Sequence, residues 1–376
     1  MTTEQRAFFE LVRAGLWGTT ADASAFDDKT DWNGLYNRGR SQTLLGVMLD
    51  GIQTLPETLR PERSLYIRWC ASVLQTEENN RKLNREAGNL FTLLRAHGVE
   101  PVLLKGQGTA RNYLRPLHRQ CGDIDVYIGN ENFERVNRLL EQDGHRPCEV
   151  NYKHSTYDWH GVSIENHRIL AKMKSPLSNR RLQRCIASWH GTDKAFRFDL
   201  DGCTVTVPPV EFDASYLLFH SVDHLLNSGV GLRQVCDWTC LLHKNRTVID
   251  REAVARQLRL LRLERAARIF GAIAVEYLGL PEEELPVRLQ SGDSKLGEWL
   301  MEDIWRNGNF GHSNASRKPR PKGYWRGKWH TFTTSMDRIR SLWRVAPMEA
   351  LWTPATMIDN VLQAQKYKYF GLGKSE

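Results

Sequence analysis

The residues best placed to do chemistry are Asp123 and Asp125, which flank Ile124. The run Asp123-Ile124-Asp125-Val126-Tyr127-Ile128 alternates polar and apolar over its first four positions, the pattern of a half-buried strand. Residues two apart on a strand point the same way. Both carboxylates therefore share one face, where they repel each other, and burying them uncompensated is costly. A divalent cation resolves that conflict. Magnesium takes oxygen ligands and keeps positions open for water and phosphate oxygens. Such a pair can bridge a nucleoside triphosphate and activate an incoming hydroxyl. Acid pairs are common on exposed strands, so the flanking sequence decides how much this one means. Upstream, Pro101-Val102-Leu103-Leu104 reads as a buried strand running into Lys105-Gly106. Glycine there lets the backbone approach phosphate, the next helix offers unpaired N–H groups, and Lys105 adds a positive charge. Downstream, Ser163-Ile164-Glu165-Asn166-His167 reads as a strand carrying one more carboxylate, and strand pairing would bring Glu165 beside the aspartates.

These residues need a scaffold, and the chain divides by texture. Residues 1–98 read as helical, with Phe8, Leu11, Val12 and Leu16 on one stripe and a long polar helix ending at Gly98. Residues 99–208 alternate strands and helices, the signature of a mixed α/β core. Within it Thr109–Leu114 is expected as a helix and Asn132–Asp143 as an amphipathic one. Strands are expected near His145–Tyr152 and Gly161–His167, and His154 and His160 are placed in a loop near the site. The basic stretch Asn179–Arg184 separates these from Phe196–Leu200 and Val205–Val207. After Pro208-Pro209, residues 209–306 return to helical periodicity, with Leu217, Leu218, Val222, Leu225 and Leu226 on one face. Residues 307–376 form a basic linker and an aromatic, helical tail. The expected fold is therefore α+β, a small mixed sheet flanked by N-terminal and C-terminal helical regions.

Several motifs together resemble a known family. They are Leu103-Leu104-Lys105-Gly106, Arg119, Gly122-Asp123-Ile124-Asp125-Val126 and Ile164-Glu165-Asn166-His167, followed by Phe219-His220, Asp223-His224 and Leu232-Arg233-Gln234-Val235-Cys236-Asp237. Over roughly Leu90 to Leu280 the chain resembles the uncharacterised nucleotidyltransferases called NTP-transferase family five, of the polymerase-beta-like superfamily. The resemblance implies a palm-like sheet, a divalent metal and transfer of a nucleoside monophosphate. It implies that Asp123, Asp125 and Glu165 hold metal, Glu165 alternatively taking the acceptor's proton. It further implies that Lys105 and Gly106 face the triphosphate and that Arg119 neutralises phosphate charge. Two departures stand out. Gly106-Gln107 replaces the usual Gly-Ser or Gly-Gly, and the interval from Gly106 to Asp123 is long. Asn166 replaces an apolar residue but points away from Glu165.

The remaining features constrain the partners. A formal net charge of +8 favours polyanions such as nucleotides or nucleic acid without choosing among them. The seven cysteines contain no CxxC pair, which argues for reduced thiols. The N-terminal residues lack a signal-peptide pattern and no apolar run approaches a membrane span, so a cytoplasmic protein without a membrane span is expected. His220 and His224, four apart, read as core or hydrogen-bonding histidines, and Arg233 with Asp237 as a helical ion pair. The segment Ser316–Lys328, basic and next to Trp325 and Trp329, reads as a linker or as a contact for nucleic acid. The expectation is a magnesium-dependent nucleotidyltransferase, with manganese as a possible substitute. Its substrate is a nucleoside triphosphate such as ATP, and its acceptor hydroxyl sits on a protein, RNA, metabolite or sugar. The alternative is a catalytically weak nucleotide- or nucleic-acid-binding regulatory protein on the same fold.

Overall fold

The computed structural model describes residues 1–227 and 229–308, the stretch 342–356, and positions 336, 339, 340 and 359. The segment Ser316–Lys328 lies outside the described residues. The helices are α1 (Thr3–Trp17), α2 (Trp32–Ser41), α3 (Leu45–Thr54), α4 (Arg63–Ala96), α5 (Gly106–Ala110), α6 (Phe133–Gln142), α7 (Pro176–Ala187), α8 (Val210–Asn227), α9 (Leu232–Lys244), α10 (Arg251–Leu261), α11 (Glu264–Glu276) and α12 (Asp293–Asn307). The strands are β1 (Val102–Leu104), β2 (Ile124–Tyr127), β3 (Pro147–Val150), β4 (His154–Trp159), β5 (Val162–His167), β6 (Phe196–Leu200) and β7 (Cys203–Val207). Small mixed sheet and flanking helices give the α+β class expected of the sequence.

The chain forms two compact units that interleave along the sequence. The first takes residues 1–77, 112–120 and 214–351. The second takes 78–111, 121–213 and 352–376. The second unit holds a five-stranded sheet in the order β1-β2-β5-β4-β3, and β6 and β7 form a separate antiparallel pair. All neighbours in the large sheet are antiparallel except β2 and β5, which run parallel. One face of the sheet is apolar. Ile124 and Val126 of β2, Ile164 of β5 and Tyr157 and Trp159 of β4 join Leu83, Ala87, Leu90, Phe91 and Leu94 of α4 and Phe133, Val136 and Leu140 of α6 in one core. The period-two pattern of the strands forces the intervening residues, Asp125, Glu165 and His167 among them, onto the other face.

Two local expectations are corrected. His154 is not in a loop but opens β4, whose inward residues Ser155, Tyr157 and Trp159 alternate with polar ones. A serine among the inward positions hid that alternation. The helix after Lys105 spans Gly106–Ala110 rather than Thr109–Leu114. The stretch Asn179–Arg184 lies within α7, which Ser175 caps by accepting from the Ser178 N–H. Asn166 does point away from Glu165 into the core, where it is fully buried. No described residue hydrogen-bonds its side-chain amide. None of the seven cysteines forms a disulfide. No helix among the described residues is long and apolar enough to cross a membrane.

The first unit is helical, and a buried histidine ties its parts together. His118 Nδ1 lies 2.9 Å from Asp50 Oδ2 of α3, and Nε2 lies 2.8 Å from Glu77 Oε1 of α4. Gly46 is required beneath it, because a Cβ there would overlap the His118 carbonyl. Burial pushes the imidazole pKa down, but the two carboxylates outweigh that and raise it. A raised folded-state pKa gives stability that is complete below the ordinary value of about 6.5 and is lost as pH rises through the folded-state value. Denaturant unfolding should therefore show His118→Gln well below the native chain at about pH 6, with the gap narrowing as pH rises. A gap that widens with pH would contradict this account.

Candidate metal and nucleotide site

The site grows from the register of three strands. Leu104 of β1 pairs with Asp125 of β2, and Asp125 pairs with Glu165 of β5. Asp123 stands just before β2. Ligand oxygens of Asp123, Asp125 and Glu165 all lie within 4.8 Å of one another. Asp125 is buried at 3 % exposure, while Asp123 and Glu165 are partly open to solvent.

Beside the carboxylates, β1 ends in a turn that most residues would resist. Lys105 has φ 47° and Gly106 φ 38°. A non-glycine residue at positive φ costs on the order of 1–3 kcal/mol and persists only where its surroundings hold it. Here the turn lies against the aspartates. A Cβ on Gly106 would sit 3.3 Å from the Asp123 carbonyl oxygen, and Lys105 Nζ lies 3.1 Å from Asp125 Oδ2. The strained turn thus delivers a lysine to the acid cluster.

The second counter-charge comes from β5. His167 Nε2 lies 2.8 Å from Asp125 Oδ1 and 3.3 Å from Glu165 Oε2. Burial acts to raise the Asp125 pKa, but Lys105 and His167 overcome it and hold the carboxyl far below the usual range. The His167 hydrogen bond holds Glu165 low against the opposing effects of burial and Asp125. His167 itself is raised, its two carboxylate partners outweighing burial. The donor set of three clustered carboxylates is the kind a hard divalent cation takes. Lys105 and His167 supply the positive charge that such a cluster requires when no ion is bound.

The other residues singled out in the sequence have these surroundings. Arg119 belongs to the first unit, buried at 6 % exposure. Its Nε and Nη2 each donate to Asp237 at 2.7 Å, and Tyr113 Oη donates to Asp237 Oδ1 at 2.7 Å. A phosphate at that edge of the guanidinium would have to compete with Asp237. Arg233, four residues before Asp237 on the same helix, donates from Nη1 to the Gln120 carbonyl at 2.8 Å. Gln107, where the resemblance leads one to expect serine or glycine, is 2 % exposed, and neither atom of its amide has a hydrogen-bond partner among the described residues. His220 and His224 hydrogen-bond each other, Nε2 to Nε2, at 2.8 Å. His160 sits in the β4–β5 turn and binds Glu86 at 2.8 Å. Sequence reasoning undervalued His154, whose Nε2 lies 4.0 Å from Glu165 Oε1. The missed signal was the spacing of Ser155, Tyr157 and Trp159, which turns His154 to the face of Glu165.

Residues 28–279, about two thirds of the chain, match the family described as uncharacterised nucleotidyltransferase, and the chain belongs to that family. No curated protein and no solved structure matches it.

The Arg119–Asp237 pair gives a test of its structural weight. Removing one partner of a buried ion pair strands the other, at a cost of about 3–5 kcal/mol. Asp237→Ala should lose that much in denaturant unfolding, with Tyr113 also left without its acceptor. A loss below about 1 kcal/mol, the range of exposed pairs, would contradict the role.

Proposed function

We propose that the chain transfers a nucleoside monophosphate from a nucleoside triphosphate to a hydroxyl acceptor and releases pyrophosphate. The observation that carries this reading is the convergence of Asp123, Asp125 and Glu165 within 4.8 Å beside the Lys105-Gly106 turn. Family membership supports the general class of chemistry.

Asp123, Asp125 and Glu165 would hold magnesium, or manganese in its place. When bound, such a cation neutralises triphosphate charge and activates the acceptor hydroxyl. The acceptor oxygen attacks the α-phosphorus, and the bond to the β-phosphate oxygen breaks with its electrons leaving on pyrophosphate. The hydroxyl proton passes to solvent. Of the two roles open to Glu165, cation ligand is favoured, because a carboxylate held low by His167 is a weak proton acceptor. Lys105 lies where it can exchange its contact with Asp125 for a phosphate oxygen. Gly106 and the next N–H groups form the backbone edge that phosphate can approach.

A second reading, nucleotide binding without turnover, draws on Gln107, which supplies no serine hydroxyl for phosphate. One experiment separates the two. The chain is incubated with each labelled triphosphate, magnesium and cell extract, and pyrophosphate release is measured together with the destination of the label. Transfer should be seen with at least one triphosphate. Asp125→Asn and Glu165→Gln should each lower it at least about 100-fold, the scale of losing one electrostatic element of a phosphoryl clamp. Triphosphate binding with no release of pyrophosphate would favour the second reading.

A further inference from the structure

The face that carries the aspartates holds another cluster of different chemistry. His154 opens β4 and pairs directly across the strands with His167 of β5, while Glu165 pairs with Thr156. Opposite residues on antiparallel strands carry side chains about 4.5–5.5 Å apart at Cβ. The two imidazole centroids are 5.1 Å apart. Glu165 stands between them, with Oε2 3.3 Å from His167 Nε2 and Oε1 4.0 Å from His154 Nε2. The ligand atoms of all three residues lie within 4.8 Å of one another. Donors about 2.0–2.2 Å from one ion lie roughly 3–3.5 Å apart, so small side-chain movements close the set around a cation.

His154 is also held for that task. Asn151 Oδ1 accepts from the backbone N–H groups of Lys153 and His154, fixing the turn into β4. The Asn151 side-chain amide reaches His154 Nε2 at 3.2 Å. Donation from Asn151 requires His154 Nε2 to be unprotonated, and a cation on the side of Glu165 takes that lone pair in place of the Asn151 contact. A two-histidine, one-carboxylate set suits a transition metal better than magnesium, because imidazole is a softer donor than carboxylate or water.

We propose that His154, His167 and Glu165 form a second cation site, selective for a transition ion of the zinc type. Glu165 is shared with the Asp123–Asp125 site. Binding draws His167 Nε2 off Asp125, and its proton leaves to solvent. The site does not need catalysis to exist, so it stands or falls apart from the reading above.

The test uses the full chain carrying Cys148→Ser, which removes its exposed thiol. Metal-free protein is titrated with zinc by calorimetry and with cobalt by visible absorption. One equivalent of zinc should bind. His154→Ala should weaken it at least about 100-fold, beyond the range lost with outer-shell partners. Asp123→Asn should leave zinc binding within about 3-fold, because Asp123 is not in the set; a ligand would cost far more. His154→Cys should restore binding and bring a thiolate-to-cobalt charge-transfer band, which also covers the case where His154→Ala fails to fold. Zinc affinity unchanged in His154→Ala, or lost in His220→Ala instead, would overturn the proposal. Failure here with intact pyrophosphate release would leave the transfer reaction standing, and the reverse outcome would do the opposite.

Discussion

The structure depends on one strand pairing. β2 and β5 run parallel with Asp125 opposite Glu165. That register concentrates negative charge on one face of a small sheet, with Asp123 adding to it from the strand entrance. Charge held this close is unfavourable unless something positive sits in it. The fold supplies two such groups at a cost in local geometry. Lys105 takes a positive φ to reach Asp125, and His167 spreads one ring nitrogen between Asp125 and Glu165. Both are replaceable partners. A divalent cation would carry the same complementary charge in their place.

The opposite face explains why the register does not slip. Ile124, Val126 and Ile164 are fully buried against α4 and α6. A one-residue shift would turn these side chains outward and drive carboxylates into the core. The hydrophobic core thus fixes the geometry of the acid cluster, and the positions of the acids are a consequence of the alternation in β2 and β5. Asn166 is the exception on the inward face, since its buried amide has no partner among the described residues. It lies opposite Ser155, whose hydroxyl is bound to Asn137.

Much of this was legible in the sequence because it follows from period-two spacing. Asp123-Ile124-Asp125, the apolar run before Lys105 and the orientation of Asn166 away from Glu165 are all local properties of extended chain. What the sequence did not reveal was non-local or masked. Arg119 lies four residues before Asp123, yet it is claimed by Asp237, more than a hundred residues away, and spacing carries no signal for such a pair. His154 was hidden because Ser155, a small polar residue, occupies an inward position and breaks the apolar pattern of β4. The helical unit gathers 1–77, 112–120 and 214–351, which no change of texture along the chain predicts.

The central claim is that three carboxylates converge to hold an ion that a triphosphate shares. Its most direct test is manganese binding followed by electron paramagnetic resonance, with and without a non-hydrolysable triphosphate. The account predicts that the triphosphate tightens manganese binding in the native chain, and that Glu165→Gln weakens both the binding and the tightening. Manganese affinity unchanged by Glu165→Gln, or indifferent to the triphosphate, would contradict it.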